Sequence, residues 1–311
     1  MRIILWQRWW IGTMVLAVSV AAVWSNEAMA QDKPAQAAKR PSSDTVPDLS
    51  AADLEKIEAA LPAKAAAAPK QPRRILVFWR CEGFFHGHGI AGGNKAIEQM
   101  GQKTGAYTVD LSRDYEVFTA ANLTKYDAVV LNNTTGLKLS DEQKQLLLDF
   151  VTSGKGLVGI HAATDNFYTW PEGAGLMGGL FAGHPWGGGG TWAFKLDEPN
   201  HSLVRAFGGQ GFKLRDEIYQ FKDPYTRDDR RVLISLDLSD KDTGDVAAAK
   251  GGRQDNDYAV AWIKNAGQGR VFYCSLGHAQ NVFQDAAVNQ FYLDGIQFAI
   301  GDLPADATPK K

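Results

Sequence analysis

Short apolar runs alternate with amphipathic segments through the middle of this sequence. Residues 75–79, 126–131 and 156–160 are apolar stretches, and segments 91–105 and 140–154 between them carry apolar residues at helical spacing. Continuous apolar runs are typical of parallel strands that are covered on both faces. The alternation therefore predicts an α/β fold built on a mostly parallel, doubly wound sheet.

The second half of the chain predicts further strands. Shorter apolar segments lie at 192–196, 232–236, 258–263 and 270–275, and a helix is expected at 286–300. The chain has 311 residues, of which 45% are hydrophobic, which is enough for one sizeable core. We therefore expect a single folded domain with appendages.

The N-terminus has the pattern of a secretory signal. Arg2 and Arg8 precede an apolar run at 11–24, and the small residues Ala28 and Ala30 stand before a cleavage point. The sequence predicts a signal peptide, export to the periplasm or beyond, and no stable membrane span after cleavage. An uncleaved anchor is the alternative, but the apolar run is short for spanning.

Composition divides the rest of the chain into four expected regions. After the signal peptide at 1–30, an Ala/Pro/Lys-rich tether is expected at 31–72, with a short helix near 50–61. The folded domain is expected at 73–302. Residues 303–311 are expected to form a disordered tail.

Two classes of partner are excluded by charge and motif. The formal net charge is −2, so the chain lacks the basic surface that nucleic acid requires. The loop after the first strand has no Gly-x-Gly-x-x-Gly turn, which argues against a nicotinamide cofactor. Cys81 and Cys274 are interpreted as small core residues, and a disulfide between them is the alternative.

Histidines follow three of the predicted strands. His86 and His88 come after the first strand, His161 follows the run that ends at Ile160, and His278 follows the run at 270–275. Ligands in open α/β sheets bind beyond the carboxyl ends of the strands, so these side chains are expected to share a site. His184 and His201 also lie in loop-like contexts. The competing interpretation is that each histidine only orders a glycine-rich loop.

The shared site is expected to hold either a cation or a proton-transfer group. His86 and His88 are two residues apart and are candidate ligands of a divalent metal such as zinc, with His161, His278, Glu82 or Glu217 completing the shell. Strand alternation would place Glu217 and Tyr219 on one face. A carboxylate beside a histidine suits general acid/base catalysis. Alone, this segment would be interpreted as a solvated edge strand.

Five motifs in order resemble the ThuA-like family, which is named for trehalose utilisation. They are RRILVFWRCEGFFHG from Arg73, VGIHAATD from Val158, FAGHP from Phe181, DEIY from Asp216 and GRVFYCSLGH from Gly269. The resemblance covers roughly residues 73–302. It implies a class I glutamine amidotransferase-like, flavodoxin-like three-layer fold. It also implies a role in the metabolism of trehalose, a related disaccharide or a keto-sugar, with a possible partner oxidoreductase in the same pathway.

The chain departs from amidotransferases at the decisive position. Their nucleophile is a cysteine in Gly-x-Cys-x-Gly, whereas the matching stretch here is Gly159-Ile160-His161-Ala162-Ala163. Gln280 stands where a triad glutamate would follow His278. Without a thiolate there is no glutaminyl-enzyme, so amidotransferase chemistry is excluded.

These patterns give a set of candidate site residues. The candidate catalytic residues are His161, Glu217 and His278. The small-molecule sugar is expected to contact Glu82, Phe85, Asp165, His184, Trp186 and Tyr219. The expected activity is that of a hydrolase, lyase or isomerase, with or without a metal ion. The alternative is a non-catalytic sugar-binding protein on the same scaffold.

Overall fold

A computed structural model describes residues 45–310 of the chain. The predicted signal peptide and the tether up to residue 44 lie outside the described residues. None of the helices within 45–310 is both long and apolar enough to cross a membrane.

A nine-stranded sheet forms the centre of the domain, and a separate pair of two-residue strands lies beside it. Its order is β2-β1-β3-β4-β11-β10-β9-β6-β7, and β5 pairs with β8. The strands of residues 45–310 are β1 (Arg74–Phe78), β2 (Thr108–Ser112), β3 (Ala128–Asn132), β4 (Gly156–Ile160), β5 (Leu180–Phe181), β6 (Thr191–Leu196), β7 (Phe212–Arg215), β8 (Phe221–Lys222), β9 (Arg231–Leu236), β10 (Ala259–Ala266) and β11 (Gly269–Cys274).

The sheet has a parallel part and an antiparallel part. Strands β2, β1, β3, β4 and β11 are paired in parallel, whereas β10, β9, β6 and β7 continue the sheet through antiparallel pairs. Seven of the nine strands still point the same way, because only β10 and β6 are reversed. The expectation of a mostly parallel sheet holds for strand direction, but not for the pairing in the second half.

Helices cover both faces of the sheet. They are α1 (Ala51–Ala59), α2 (Gly87–Thr104), α3 (Ala120–Leu123), α4 (Asp141–Thr152), α5 (Pro171–Met177), α6 (Lys241–Lys250) and α7 (Ala286–Ala299). Residues of α1, α2 and α7 pack in one buried cluster with Ile75 and Val77, whereas α4 and α5 pack in another with Leu76 and Phe78. Alternate residues of one strand point to opposite faces, so the domain has three layers.

Local sequence explains where the helices begin. Ser140 and Gln143 form a reciprocal capping box at the start of α4, and Asp285 caps α7 by accepting from the Val288 amide. Ser50 caps α1 in the same way through the Asp53 amide. Helix α1 therefore lies where the sequence predicts a short helix.

The segments on either side of the domain are held against it. The Gln297 carboxamide accepts from the amides of Ala66 and Ala67 and donates to the Ala67 carbonyl, so the strap of residues 62–72 is fixed to α7. Beyond residue 302 there is no helix or strand up to 310, but Leu303 and Ala307 are buried. The expected tether and disordered tail are therefore packed segments in this part of the chain.

Candidate functional site

The site lies at the carboxyl ends of the parallel strands. His86 follows β1, His161 is the first residue after β4, and His278 follows β11. Glu217 reaches the same place from the segment after β7. Since β1, β4 and β11 run parallel, their carboxyl ends meet at one edge of the sheet, and this brings the three histidines together.

His161 is fully buried at a sharp turn. Its φ is +47°, a left-handed conformation that a side chain rarely adopts, and a short 3-10 helix begins at this residue. Nδ1 lies 2.7 Å from the Ser275 carbonyl oxygen, which can only accept, so Nδ1 carries the proton. The lone pair of Nε2 therefore points into the site. Burial lowers the pKa of this imidazole, although the Glu217 carboxylate opposes the shift.

Glu217 is the acidic centre of the cluster. Its Oε1 lies 3.4 Å from His278 Nδ1 and 3.7 Å from His161 Nε2, and its Oε2 lies 3.3 Å from His184 Nδ1. Burial by itself would raise the pKa of Glu217, but the neighbouring His161 and His278 lower it overall. Burial by itself would lower the pKa of His278, but the Glu217 carboxylate raises it overall.

His86 and Tyr219 complete the wall of the site. The His86 ring lies 5.0 Å from the His161 ring and 5.1 Å from the His278 ring. The Tyr219 hydroxyl lies 3.4 Å from His86 Nε2, whereas His86 Nδ1 is buried without a hydrogen-bond partner among the described residues. Burial lowers the pKa of His86 well below its usual range and raises that of the Tyr219 phenol, so both groups are neutral near pH 7.

Four side chains could hold one ion. His86, His161, Glu217 and His278 each offer a ligand atom, and these atoms all lie within 4.8 Å of one another. Three imidazole nitrogens and a carboxylate oxygen are donors that zinc and similar divalent ions accept.

Buried contacts fix the loop that carries His278. Asp216 accepts from the amides of Gly277, at 2.7 Å, and His278, at 3.1 Å, and burial raises its pKa to about 7. Gly89 of α2 lies so close that a Cβ there would stand 2.4 Å from the Gly277 carbonyl oxygen. The loop is therefore clamped between Asp216 and α2.

The sequence suggests that the segment with Asp216, Glu217 and Tyr219 begins a strand, but in the structure it does not. Strand β7 ends before it at Arg215, and only Ile218 forms an isolated bridge, to Trp186. The alternation is nevertheless as expected, since Glu217 and Tyr219 face the histidines. Asp216 turns to the 277–278 loop instead, and that positioning role is one that the sequence did not reveal.

Two predicted site residues lie outside the cluster. His88 is exposed on α2, because the helix begins at Gly87 and turns this side chain away from His86. Trp186 is fully buried: its indole donates to the Thr243 carbonyl and packs on Tyr258. The structure therefore does not bring His88 or Trp186 into the histidine cluster.

The remaining candidates surround the cluster at different distances. His184 lies at the mouth, half exposed and stacked on Phe181. Asp165 accepts from the Tyr168 hydroxyl at 2.6 Å, and burial raises its pKa. Glu82 is paired with Arg80, and the ring of Phe85 lies beside Gly87. His201 lies in a loop, as the sequence suggests, and its Nε2 bonds to the Asp306 carbonyl rather than to a residue of the cluster.

Sequence reasoning also missed Ser275, which directly follows β11 and positions both His161 and Tyr219. Ser275 accepts from His161 through its carbonyl and from the Tyr219 amide, at 3.2 Å, through its hydroxyl. Its position directly after an apolar strand was the available signal. Cys274 is a buried free thiol, so no disulfide joins it to Cys81, which is also buried.

Comparisons with known proteins address the family and the fold. The family model ThuA, described as trehalose utilisation, matches residues 74–299. A ThuA-like protein from Bacteroides uniformis has a TM-score of 0.60 at 19% identity, over 75% of this chain and 94% of that one. One from Parabacteroides merdae has a TM-score of 0.58 at 20% identity, over 78% and 93%. No match to a curated protein was found.

At these identities the two solved structures establish a shared fold and nothing about activity. The family model carries the assignment, because it matches well over half of the chain in the same region as the sheet and the histidine cluster. The chain belongs to the ThuA family.

Proposed function

We propose that this chain is an exported enzyme of carbohydrate metabolism whose histidine and glutamate pocket holds a divalent metal ion. The observation that carries the metal assignment is the convergence of His86, His161, His278 and Glu217 on a common point. The sugar substrate is inferred from the family, which is described by trehalose utilisation.

The state of the four side chains fits such an ion. The Ser275 carbonyl holds the proton of His161 on Nδ1, which is the arrangement by which a second residue orients a metal-ligating histidine. His86 has a buried nitrogen without a partner among the described residues. A buried polar atom left unsatisfied costs about 1–3 kcal/mol, so a ligand at this ring would remove a real penalty.

The chemistry proposed is Lewis-acid assistance at a sugar oxygen. His86, His161, Glu217 and His278 would hold a divalent ion, which when bound would supply polarisation of a carbonyl or hydroxyl oxygen of the substrate. The Glu217 carboxylate supplies a negative charge to the site. The neutral Tyr219 phenol is placed to donate a hydrogen bond to a substrate oxygen that gains negative charge. His184 Nδ1 lies 3.3 Å from Glu217 Oε2 and its side chain is 51% exposed, so it connects the site with solvent.

Amidotransferase chemistry is not part of the proposal, although we propose the class I amidotransferase-like scaffold. His161 stands at the strand-to-helix turn where that chemistry needs a thiolate. Burial raises the pKa of the Cys274 thiol to about 12, so it stays protonated. Keto-sugars supplied by a partner oxidoreductase are the substrates that a Lewis acid would activate most directly.

Metal analysis of the purified full chain tests the proposal. We expect near-stoichiometric zinc or another divalent ion in the wild type, and loss of it in His161→Ala and His278→Ala. His88→Ala is the matched control, because it removes a histidine that is exposed and lies only two positions after His86 in the sequence. A wild-type chain that binds no divalent ion, even after incubation with one, contradicts the metal assignment and favours acid/base catalysis or simple sugar binding.

Export has its own test. Cell fractionation with mass measurement of the N-terminus should find the protein outside the cytoplasm, beginning at Gln31. Retention of residues 1–30 in a membrane fraction would instead support an anchor.

A further inference from the structure

Three large apolar side chains are strongly exposed among the described residues, and two of them belong to loops of the site. Phe84 is 67% exposed and Tyr168 46%, whereas Leu111 on edge strand β2 is 43% exposed. Phe84 lies in the loop that carries His86, and Tyr168 follows the turn that carries His161. Single exposed apolar residues need no explanation, but two that flank one pocket do.

Phe84 packs against His86, one of the proposed metal ligands. Its ring meets the His86 ring edge-on at 4.7 Å between centroids. The backbone beneath it is fixed by Thr135, whose hydroxyl donates to the Phe84 carbonyl at 2.8 Å and accepts from the Gly83 amide at 3.2 Å. The exposed ring is therefore held in place rather than left free on a loose loop.

The Asp165 carboxylate links the loop of Tyr168 with the loop of Phe84. Asp165 Oδ1 accepts from Tyr168, and Oδ2 lies 3.9 Å from the position of a Cβ on Gly83, the neighbour of Phe84. Phe84, Asp165 and Tyr168 thus form one rim, which combines flat apolar surfaces with a hydrogen-bond acceptor. A sugar ring, with an apolar C–H face and a hydroxyl edge, matches such a rim.

We propose that this rim binds the second ring of a disaccharide, with Phe84 as its stacking platform, while the first ring lies at the histidine cluster. The inference rests on the carbohydrate part of the proposed function and not on the metal ion. It makes Phe84 a specificity residue: disaccharides are bound in preference to monosaccharides because only they reach the platform.

The test compares binding of trehalose, maltose and glucose by calorimetry. We expect the wild type to bind at least one of the two disaccharides about tenfold more tightly than glucose. Phe84→Ala should lose that preference, whereas Phe84→Trp should keep it. Leu111→Ala is the matched control, since it removes a comparably exposed side chain far along the sequence from the site loops.

Every outcome bears on the inference. A wild type that binds neither disaccharide more tightly than glucose overturns it, as does a Phe84→Ala variant that keeps the preference. Metal content of the same samples separates the two proposals. A metal-bearing wild type without the preference overturns only the platform, whereas a metal-free chain whose preference depends on Phe84 overturns only the metal assignment.

Discussion

His161 Nε2 lies 3.3 Å from His278 Nδ1, although the two residues are 117 positions apart in the chain. Because the Ser275 carbonyl holds the His161 proton on the other nitrogen, Nε2 faces His278 as an acceptor. The pair therefore either shares a proton of His278 or offers two lone pairs to one ion. This choice is what the metal analysis decides.

The backbone at His161 gives a first prediction, which does not depend on any ligand. At a φ of +47°, alanine is strained and glycine is not. We expect His161→Gly to be more stable than His161→Ala by on the order of 1 kcal/mol in chemical denaturation. Both variants remove the imidazole, so the difference isolates the turn. Equal stability would mean that the chain relaxes out of the left-handed conformation.

The close approach of α2 to the His278 loop gives a second prediction. A methyl group on Gly89 would meet the backbone carbonyls of Gly277 and His278 at 2.4 and 2.6 Å, so Gly89→Ala must displace that loop. We expect a drop of at least tenfold in divalent-metal affinity, measured by titration. Gly175→Ala is the control, because a Cβ at this position of α5 meets nothing within 4 Å. If both variants bind metal like the wild type, the clamp does not position His278.

A buried carboxylate on α7 gives a pH-dependent prediction. Burial raises the pKa of Asp294 to about 6, above its ordinary 3.8. The folded state thus binds more protons than the unfolded state between these values, and stability falls as the pH rises through this window. Asp294→Asn lacks this loss, so its stability relative to wild type should grow by roughly 2–3 kcal/mol from pH 4 to pH 7.

Urea denaturation of both chains at several pH values checks this, since the other carboxylates titrate alike in the two and cancel in the difference. A difference that stays flat with pH would show that Arg205, which bonds to Asp294 at 3.2 Å, already compensates the charge.

The strap of residues 62–72 gives a prediction about local opening. Gln297 makes three hydrogen bonds to Ala66 and Ala67, so Gln297→Ala should release the strap without unfolding the sheet. We expect trypsin to cut at Lys64 at least severalfold faster in the variant, as followed by mass spectrometry. Unchanged cleavage would mean that the bond from the Lys70 amide to Asp302, at 3.1 Å, is sufficient to hold the strap.

The parallel half of the fold was predictable because its central strands are buried on both faces. Residues 75–78 of β1, 128–131 of β3 and all of β4 are accordingly continuous runs without a polar side chain, and the sequence located all three strands. Strand β2 was missed, because as an edge strand it is largely exposed and its residues, TVDLS, mix polar and apolar types. Pairing direction in the second half was also missed, because short apolar runs carry no information about the direction of their partner.

The part of the site that lies directly after the parallel strands was predictable from the sequence. Placement after β1, β4 and β11 was enough to group His86, His161 and His278. The choice of Glu217 over Glu82 depended on where β7 stops, which the sequence did not show. The structure does not bring His88 to the cluster, because α2 begins at Gly87 rather than at residue 91 and carries His88 at an exposed position, whereas His86 precedes the helix and is buried.

The place of β11 in the sheet has a consequence for how the chain folds. Strands β2, β1, β3 and β4 on one side, and β10, β9, β6 and β7 on the other, are joined only through β11, the last strand along the sequence. Until residues 269–274 leave the ribosome, β4 and β10 are two bare edges that can pair with neighbouring chains. We therefore expect the two halves of the sheet to join only after β11 has been synthesised, and a chain that stops before β11 to aggregate.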